Sequence, residues 1–530
     1  MARLDTTTTV IIFLLMLAGV AFAISSEGYT PFILALVALT TITGVGLNVL
    51  LGLAGQVSFG HVGFYSIGAY TVAVLTLNGM SFWLSLLIAG ALTGVVGALF
   101  ALPALRVSGS YLAMMTIAFG FIVEHGTIEW RQLTGGQNGL AGIPQPAIGA
   151  MLTGERAMAA ITVVIAAACL LLYEVLFRGS WGRAMIAVRD AETAASGIGL
   201  RPVVVKTLAF ALSAAFTGLA GGCFAALLAF IAPSAFPFSQ SILFLLAVVV
   251  GGAGWTLGPV VGAAITVVLP ELISSLAEYR LLIFGCLLLV VLWLAPEGVI
   301  GTVARLLKTT GMRVARADGF DLLSFLGGHD RRKSLEIASL SIAFGGIKAA
   351  TDIELTARPG EVTGLIGPNG AGKTTVLNMI SGFYRPDSGT IRLGRRELAG
   401  CQASTIARAG IARTYQTTQL FGSLSVIDNV LLGLRVGRLG NPFGRLATSA
   451  DLSAAEGLLT LVGYSGDLDA VASALPHVDR RLVEIARAVA TRPSVLLLDE
   501  PAAGLAASDK VHMSSVLRTL ADAGLAVLLI

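Results

Sequence analysis

The chain has 530 residues, 55% of them hydrophobic and 12% charged, with a mean hydropathy of +0.84 and a net charge of +4. Long apolar runs with little charge exclude a wholly soluble or disordered protein, and basic residues dispersed at the ends of those runs give no nucleic-acid partner. The runs crowd roughly the first 300 residues, whereas the remainder has ordinary charge. Composition therefore predicts a membrane part joined to a soluble part.

In chain order, residues 10–24 have the outline of a signal peptide, but more apolar runs follow at once and predict a retained first helix. Segments near the ~20 residues needed to span a bilayer are predicted at 8–26, 31–53, 62–79, 82–103, 110–130, 157–177, 206–232 and 279–296. Between the last two, residues 242–250 and 260–269 are apolar but are separated by Gly251, Gly252, Gly254 and Gly258, so each piece is short for a span. Such glycine-broken segments suit backbone that lines a cavity in a transporter. The pairs Gly218/Gly222 and Gly258/Gly262 are spaced for close helix approach.

Loop charges give an orientation. The 178–206 loop carries Arg178, Arg183, Arg189, Arg201 and Lys206, whereas 131–156 carries only Arg131 and Arg156, offset by Glu129 and Glu155. The first is predicted cytoplasmic and the second external; Arg305, Lys308, Arg313 and Arg316 place the polar half in the cytoplasm as well. An even number of crossings must then separate the two cytoplasmic points, with the glycine-split pieces either as two spans or as one re-entrant pair beside a miscounted neighbour. Cys169, Cys223 and Cys286 lie in apolar runs and only Cys401 in the polar half, a spacing with no disulfide or zinc framework. The predicted architecture is a polytopic α-helical membrane domain at 1–300 with about eight to ten helices, a basic linker at 301–333, and an α/β nucleotide-binding domain at 334–530.

The soluble half carries the chemistry. A short apolar strand at 361–366 leads into Gly367-Pro368-Asn369-Gly370-Ala371-Gly372-Lys373-Thr374-Thr375 and then an apolar helix through Ile380. This is a phosphate-binding loop in its strand–loop–helix context. Its glycines let backbone N–H groups converge on the β- and γ-phosphates of ATP, Lys373 neutralises phosphate charge, and the Thr374 hydroxyl suits Mg²⁺. Further on, Ser494-Val495-Leu496-Leu497-Leu498-Asp499-Glu500-Pro501 reads as a buried parallel strand that delivers two carboxylates beside the loop. Asp499 is placed to hold Mg²⁺ through water, and Glu500 to orient and deprotonate the attacking water.

With these residues the soluble half resembles an ABC-transporter ATPase. Arg413-Thr414-Tyr415-Gln416 before Leu420-Phe421 looks like that family's Q-loop, which implies that Gln416 contacts Mg²⁺ and senses the membrane domain. Phe344, in Ala343-Phe344-Gly345-Gly346, falls where the family often has an aromatic stacked on adenine. Two departures stand out. The family's signature, LSGGQ or LSYGQ before a helix ending EIAR, is here Leu475-Pro476-His477-Val478-Asp479 before Arg480-Arg481-Leu482-Val483-Glu484-Ile485-Ala486-Arg487. Pro476 lacks an N–H and Val478 obstructs close approach to the γ-phosphate held by a partner ATPase. The expectation is one active site, on this chain's own loop with Glu500, and one impaired site, in a heterodimer whose other ATPase has an intact signature. The sequence also stops at Ile530 inside a strand, before the family's switch histidine, and reads as C-terminally truncated because an exposed apolar strand end is a poor terminus.

Residues 30–305 resemble the permease of the branched-chain amino-acid importers. The resemblance rests on Gly46-Leu47-Asn48, Gly55-Gln56-Val57-Ser58-Phe59-Gly60-His61, Gly68-Ala69-Tyr70, Thr134-Gly135-Gly136 through Gly139-Leu140, Gly182-Arg183-Ala184 to Gly199, and Ala295-Pro296-Glu297-Gly298. The 180–206 loop, with Glu192-Thr193-Ala194-Ala195-Ser196-Gly197, is similar to the coupling helix of such importers. Arg183, Arg189 and Glu192 are its candidate coupling residues, docking in a groove near Gln416. Gln56, His61, Glu124 and Glu271, polar in or beside spans, are candidate pathway positions.

The resemblance implies ATP-driven import of leucine, isoleucine or valine across a bacterial inner membrane, with ATP and Mg²⁺ as cofactors. It also implies a second permease subunit, a second ATPase, an extracytoplasmic binding protein and membrane lipid as partners. Urea or short amides are alternative substrates within the family. An exporter is the remaining reading, disfavoured by the short cytoplasmic loops.

Overall fold

Runs apolar on every side can satisfy their backbone inside lipid only as helices, and that is how the first half of the chain folds. The computed structural model describes residues 6–107, 109–147, 153–272, 279–307, 314, 320–327, 333–442, 444 and 446–530. It divides into a membrane unit, Arg3–Arg178 with Lys206–Thr309, and a soluble unit, Gly179–Val205 with Thr310–Ile530.

In chain order the helices are α1 (Thr6–Ser25), α2 (Thr30–Leu47) running into a π-helical turn at Asn48–Leu53, α3 (His61–Leu77), α4 (Phe82–Ala104), α5 (Ser110–Glu129), α6 (Arg131–Thr134) and α7 (Gly154–Arg178). The 178–206 loop holds α8 (Ser180–Asp190) and α9 (Glu192–Gly197). Then come α10 (Pro202–Leu228), α11 (Phe238–Gly251), α12 (Gly258–Leu272), α13 (Arg280–Leu294) and α14 (Gly298–Leu307). On one side of the membrane unit, strand β1 (Leu140–Ala141) pairs antiparallel with β2 (Phe230–Ile231).

Seven described helical segments are long and apolar enough to cross a membrane: Thr6–Ser25, Thr30–Leu53, Phe82–Ala104, Ser110–Glu129, Gly154–Arg178, Pro202–Leu228 and Pro233–Gly251. Two expected spans are shorter than anticipated. The 62–79 prediction is the 17-residue α3, and 279–296 is the 15-residue α13. The irregular stretch before α3 is tolerated because protein satisfies its N–H groups: Phe59 donates to Thr116 Oγ1 (3.0 Å), Gly60 to Ser58 Oγ (3.3 Å) and Val62 to Ser241 Oγ (3.0 Å).

The glycine-split region forms two separate helices, α11 and α12, and the segment ending at Gly251 is longer than its apolar core suggested. Gly252 (φ +120°) and Gly254 (φ +88°) turn the chain between them in conformations that suit glycine. A Cβ on Gly262 would collide with the Ala247 carbonyl, so the helices meet backbone to backbone.

The soluble unit is α/β. An antiparallel sheet in the order β4-β3-β6-β7 comprises β3 (Leu335–Phe344), β4 (Ile347–Ala357), β6 (Ser388–Leu393) and β7 (Arg396–Glu397). A parallel sheet in the order β5-β10-β9-β8 comprises β5 (Val362–Gly364), β8 (Ile411–Arg413), β9 (Val495–Leu498) and β10 (Ala526–Leu529). Helix α16 (Lys373–Ile380) contributes Val376, Leu377 and Ile380 to a core shared with Leu335, Leu340 and Ile391 of one sheet and Val495, Leu497 and Leu528 of the other. The remaining helices are α15 (Leu322–Leu326), α17 (Ala403–Ala409), α18 (Val426–Arg435), α19 (Ser449–Leu461), α20 (His477–Ala490) and α21 (Ala507–Asp522).

One expectation changes here. The strand predicted at 361–366 is only Val362–Gly364, and Ile366 is exposed. Strand β10 pairs on both sides, with β5 and β9, and Val527 and Leu528 are buried. Much of the linker predicted at 301–333 lies outside the described residues.

Candidate functional site

The phosphate loop leaves β5 and enters α16 at Lys373. Gly370 (φ +84°) and Gly372 (φ +85°) adopt left-handed backbone, and a Cβ on Gly372 would strike the Ala349 carbonyl, so this turn admits glycine alone. Gly367, Pro368, Asn369 and Ala371 complete the loop; Thr374 is exposed and Thr375 half-buried at the helix start. The Lys373 ammonium donates to the carbonyls of Gly367 (2.7 Å) and Pro368 (2.9 Å), folded over the loop it serves.

At the end of β9 the two carboxylates separate in character. Asp499 is buried: its Oδ2 accepts from Arg413 Nη2 at 2.9 Å, while its Oδ1 has no hydrogen-bond partner among the described residues. Arg413 is itself held by Asn378 Oδ1 (2.6 Å) and Ser381 Oγ (3.0 Å), groups on or next to α16. A buried carboxylate oxygen left over beside a phosphate loop fits a divalent cation. Glu500 is half-buried at φ +44°, and its N–H donates to the Ile530 carbonyl at 3.0 Å. Gln416 Nε2 donates to Glu500 Oε2 at 3.2 Å, which brings the predicted Q-loop residue onto the predicted catalytic carboxylate. Phe344 is exposed at the end of β3, edge-on to Tyr384 with centroids 5.2 Å apart; Tyr384 was not singled out from the sequence.

Helix α20 begins without a side-chain cap at Pro476, and Pro476 and His477 are exposed. From Arg481 onward the helix is buried and holds an ionic core missed by sequence reasoning. Arg481 Nη2 donates to the Gln416 carbonyl (2.8 Å), and Nη1 reaches both the Tyr415 carbonyl and Glu484. Glu484 accepts from the Gln419 N–H (3.0 Å), and Arg487 donates to the Gln419 carbonyl (2.7 Å) with its guanidinium 4.5 Å from the Phe421 ring centroid. Burial pushes the Glu484 carboxyl up and the Arg487 guanidinium down, opposed by their mutual attraction. The charged residues in the EIAR segment were the available signal, since charges on a helix this buried need partners.

Residues Gly179–Val205 of the 178–206 loop belong to the soluble unit. Arg183 meets Asp428 at 3.1 Å. Arg189 pairs with its neighbour Asp190 at 3.0 Å, and it is Asp190, overlooked in the sequence, that accepts from Ser423 N (2.6 Å) and Oγ (3.2 Å). Glu192 is exposed in the first turn of α9. Tyr415 donates through its hydroxyl to the Thr193 carbonyl (3.1 Å), and burial pushes its phenol up to about 12. Arg408 adds a bond to the Gly199 carbonyl at 2.9 Å, and Trp181 one to the Gly440 carbonyl at 2.9 Å.

In the membrane unit the pathway candidates separate. His61 is fully buried between the hydroxyls of Ser58 (3.0 Å) and Ser213 (2.7 Å), a packed junction. Gln56 is half-buried and bonds the Ala54 carbonyl (3.2 Å), Glu124 is half-buried, and Glu271 is exposed. Nothing brings these four together. Among the buried polar residues of this unit are Asn48, quoted above only within a motif, and Glu174, not singled out from the sequence.

Residues 29–292 match the family described as the branched-chain amino acid transport system permease component, and residues 350–503 match the ABC transporter family. The high-affinity branched-chain amino acid transport system permease protein LivM of Escherichia coli K12 is 34% identical over 311 residues, covering 54% of this chain and 73% of LivM. The ATP-binding protein LivG of Salmonella typhimurium LT2 is 41% identical over 194 residues, covering 35% of this chain and 76% of LivG. The ATP-binding protein BraF of Pseudomonas aeruginosa is 37% identical over 182 residues, covering 33% of this chain and 71% of BraF. With a nucleotide loop, paired carboxylates and a helical membrane unit in one polypeptide, the chain belongs to the ABC transporters, as a multi-pass permease component of the branched-chain amino acid transport family fused to its ABC-type ATPase.

Proposed function

We propose that this chain imports branched-chain amino acids, leucine, isoleucine and valine, across a bacterial inner membrane, with its ATPase in the cytoplasm. It works with a second permease subunit, a second ATPase carrying an intact signature, and an extracytoplasmic binding protein. The observation that carries the reading is the joining, in one chain, of relatives of both the permease and the ATP-binding protein of one kind of transport system.

The chemistry follows from the soluble unit. Backbone N–H groups of the 367–375 loop receive the ATP phosphates at the start of α16, and Lys373 leaves the Gly367 and Pro368 carbonyls for phosphate oxygens. Mg²⁺, when bound, would supply charge neutralisation for the phosphates, and Thr374, Gln416 and Asp499 would hold it; the leftover Oδ1 of Asp499 suits that role. Glu500 takes a proton from the attacking water while Gln416 fixes the carboxylate's position. Because Gln416 lies next to Tyr415, whose hydroxyl holds α9, closure around nucleotide is passed to the docking loop through Arg183–Asp428, Asp190–Ser423 and Tyr415–Thr193. Pro476 and Val478 leave the partner's nucleotide facing a weakened signature, so turnover centres on Glu500.

Uptake of labelled leucine, with urea as comparator, in cells with and without the gene tests the reading. Loss of leucine uptake alone is expected; loss of urea uptake alone would replace the substrate, and loss of neither would overturn the import assignment.

A further inference from the structure

Glu174 is a carboxylate 2% exposed on a helix that crosses the membrane, an arrangement too costly to persist without a defined partner and use. It has two partners on opposite sides. One oxygen accepts from Arg178, four residues on at the very end of α7; the other accepts from the hydroxyl of Thr256 in the turn between α11 and α12. Thr256 is itself 8% exposed. The same turn is gripped from its other flank by Asn48, fully buried, whose Oδ1 accepts from the Gly254 N–H (2.6 Å) and whose Nδ2 donates to the Trp255 carbonyl (2.9 Å).

These contacts join three places where regular helix gives way. Asn48 opens the π-helical turn that ends α2, after which the chain runs irregularly to His61. The Gly252–Leu257 stretch separates α11 from α12 and contains both left-handed glycines. Arg178 ends α7 just before Ser180 opens α8, the first helix of the loop held by Asp428 and Ser423. The approach is close: a Cβ on Gly52 would lie 2.5 Å from the Gly254 N–H nitrogen, and one on Gly298 would collide with Gly252. Such a junction passes displacement on, because packed backbones with no intervening side chain cannot absorb it.

We propose that Glu174, Thr256 and Asn48 are positioning residues for transport: they form a polar latch that transmits movement of the docking loop, through the end of α7, to the α11–α12 turn and the broken end of α2. The carboxylate suits this task because it holds Arg178 by charge and Thr256 by hydrogen bond at once. The two amide atoms of Asn48 fix the turn's register without a side chain from the turn itself. The inference rests on ATP-driven transport and not on the identity of the cargo.

Trp255 is a native reporter within the latch, one of five tryptophans in the chain. The transporter complex is labelled with 5-fluorotryptophan in lipid nanodiscs, the Trp255 ¹⁹F resonance is assigned with Trp255→Phe, and spectra are compared with and without ATP and vanadate. The parent is expected to show a nucleotide-dependent shift of this resonance. Thr256→Val, which removes the hydroxyl at nearly constant volume, should reduce that shift by more than about half while ATP turnover stays within about twofold. Thr256→Ser should restore it. A Trp255 resonance indifferent to nucleotide in the parent, or a full response in Thr256→Val, would overturn the proposal. Should Thr256→Val not assemble, Glu174→Gln carries the same test: it keeps size, loses the charge that holds Arg178, and is expected to weaken the response, with an unaltered response overturning it.

Discussion

Arg481 donates to the main-chain carbonyl of Gln416 at 2.8 Å, and the Gln416 side chain in turn donates to Glu500 at 3.2 Å. The helix that follows the altered signature segment thus bears, through Gln416, on Glu500, the proposed catalytic carboxylate. With Glu484 and Arg487 it fixes both edges of the 415–421 segment. On the proposed assignment, the buried EIAR segment serves this chain's own site, whereas the exposed tip faces the second ATPase.

Arg481→Lys should therefore lower the kcat for ATP by about tenfold with little change in KM, since the phosphate loop is untouched and only the placement of Gln416 is disturbed. Steady-state kinetics of the purified complex decide this; a rise in KM at constant kcat would contradict it. Glu484→Ala leaves two buried guanidinium groups without their carboxylate and should destabilise the soluble unit by about 3–5 kcal/mol, measurable by thermal unfolding.

Glu500→Gln should remove most ATPase activity, on the order of 100-fold, because it takes away the proposed general base at the site proposed to face an intact signature. If the complex kept most of its activity, the partner's nucleotide site would be the working one. The converse variant, Pro476→Ser with Val478→Gly, should raise the residual activity of the Glu500→Gln complex by rebuilding the second site.

Charge reversal at Arg183, whose guanidinium lies 3.1 Å from Asp428, should uncouple ATP turnover from uptake. Asp190→Ala should likewise uncouple turnover from uptake, because it removes the acceptor for both Ser423 groups. The ratio of uptake to ATP consumed, measured in vesicles, reports both, and restoration by Arg183→Asp combined with Asp428→Arg would tie the effect to the pair.

The same pair predicts a pH response. Burial raises the Asp428 carboxyl above its ordinary 3.8, with Asp469 adding to the rise and Arg183 and the Ser425 hydrogen bond opposing it. A raised carboxyl binds its proton more readily in the folded state, so stability from this group is greatest at low pH and falls as pH rises through the raised value. The ion pair with Arg183 behaves oppositely: it is present above that value and is lost as pH falls through it. Coupling efficiency should drop on acidification in the parent, and Asp428→Asn should show the low-pH coupling at every pH.

Much of the soluble site was legible because its chemistry is local. Gly367 to Thr375 carry their own turn geometry, and Asp499 and Glu500 follow an apolar strand that can only be buried. The docking partners were half legible. Arg183 could be named from loop charge, but Asp428 lies 245 positions away by numbering, on α18, and only folding pairs them. Gln56, His61, Glu124 and Glu271 looked alike in sequence because polarity inside a span says nothing about facing. The structure puts His61 between two serines and leaves Glu271 exposed.

By itself the sequence determined the membrane and soluble halves, the nucleotide loop, the two carboxylates and the altered signature, since each depends on the order and spacing of neighbouring residues. Tertiary structure alone decided that Gln416 meets Glu500, that Arg481 holds Gln416, and that Asn48 and Glu174 converge on the turn between α11 and α12. Those contacts join residues 65 to 207 positions apart. At such separations a pairing is fixed by which helices pack and by the need of buried polar groups for a partner, and neither is written in any local stretch of chain.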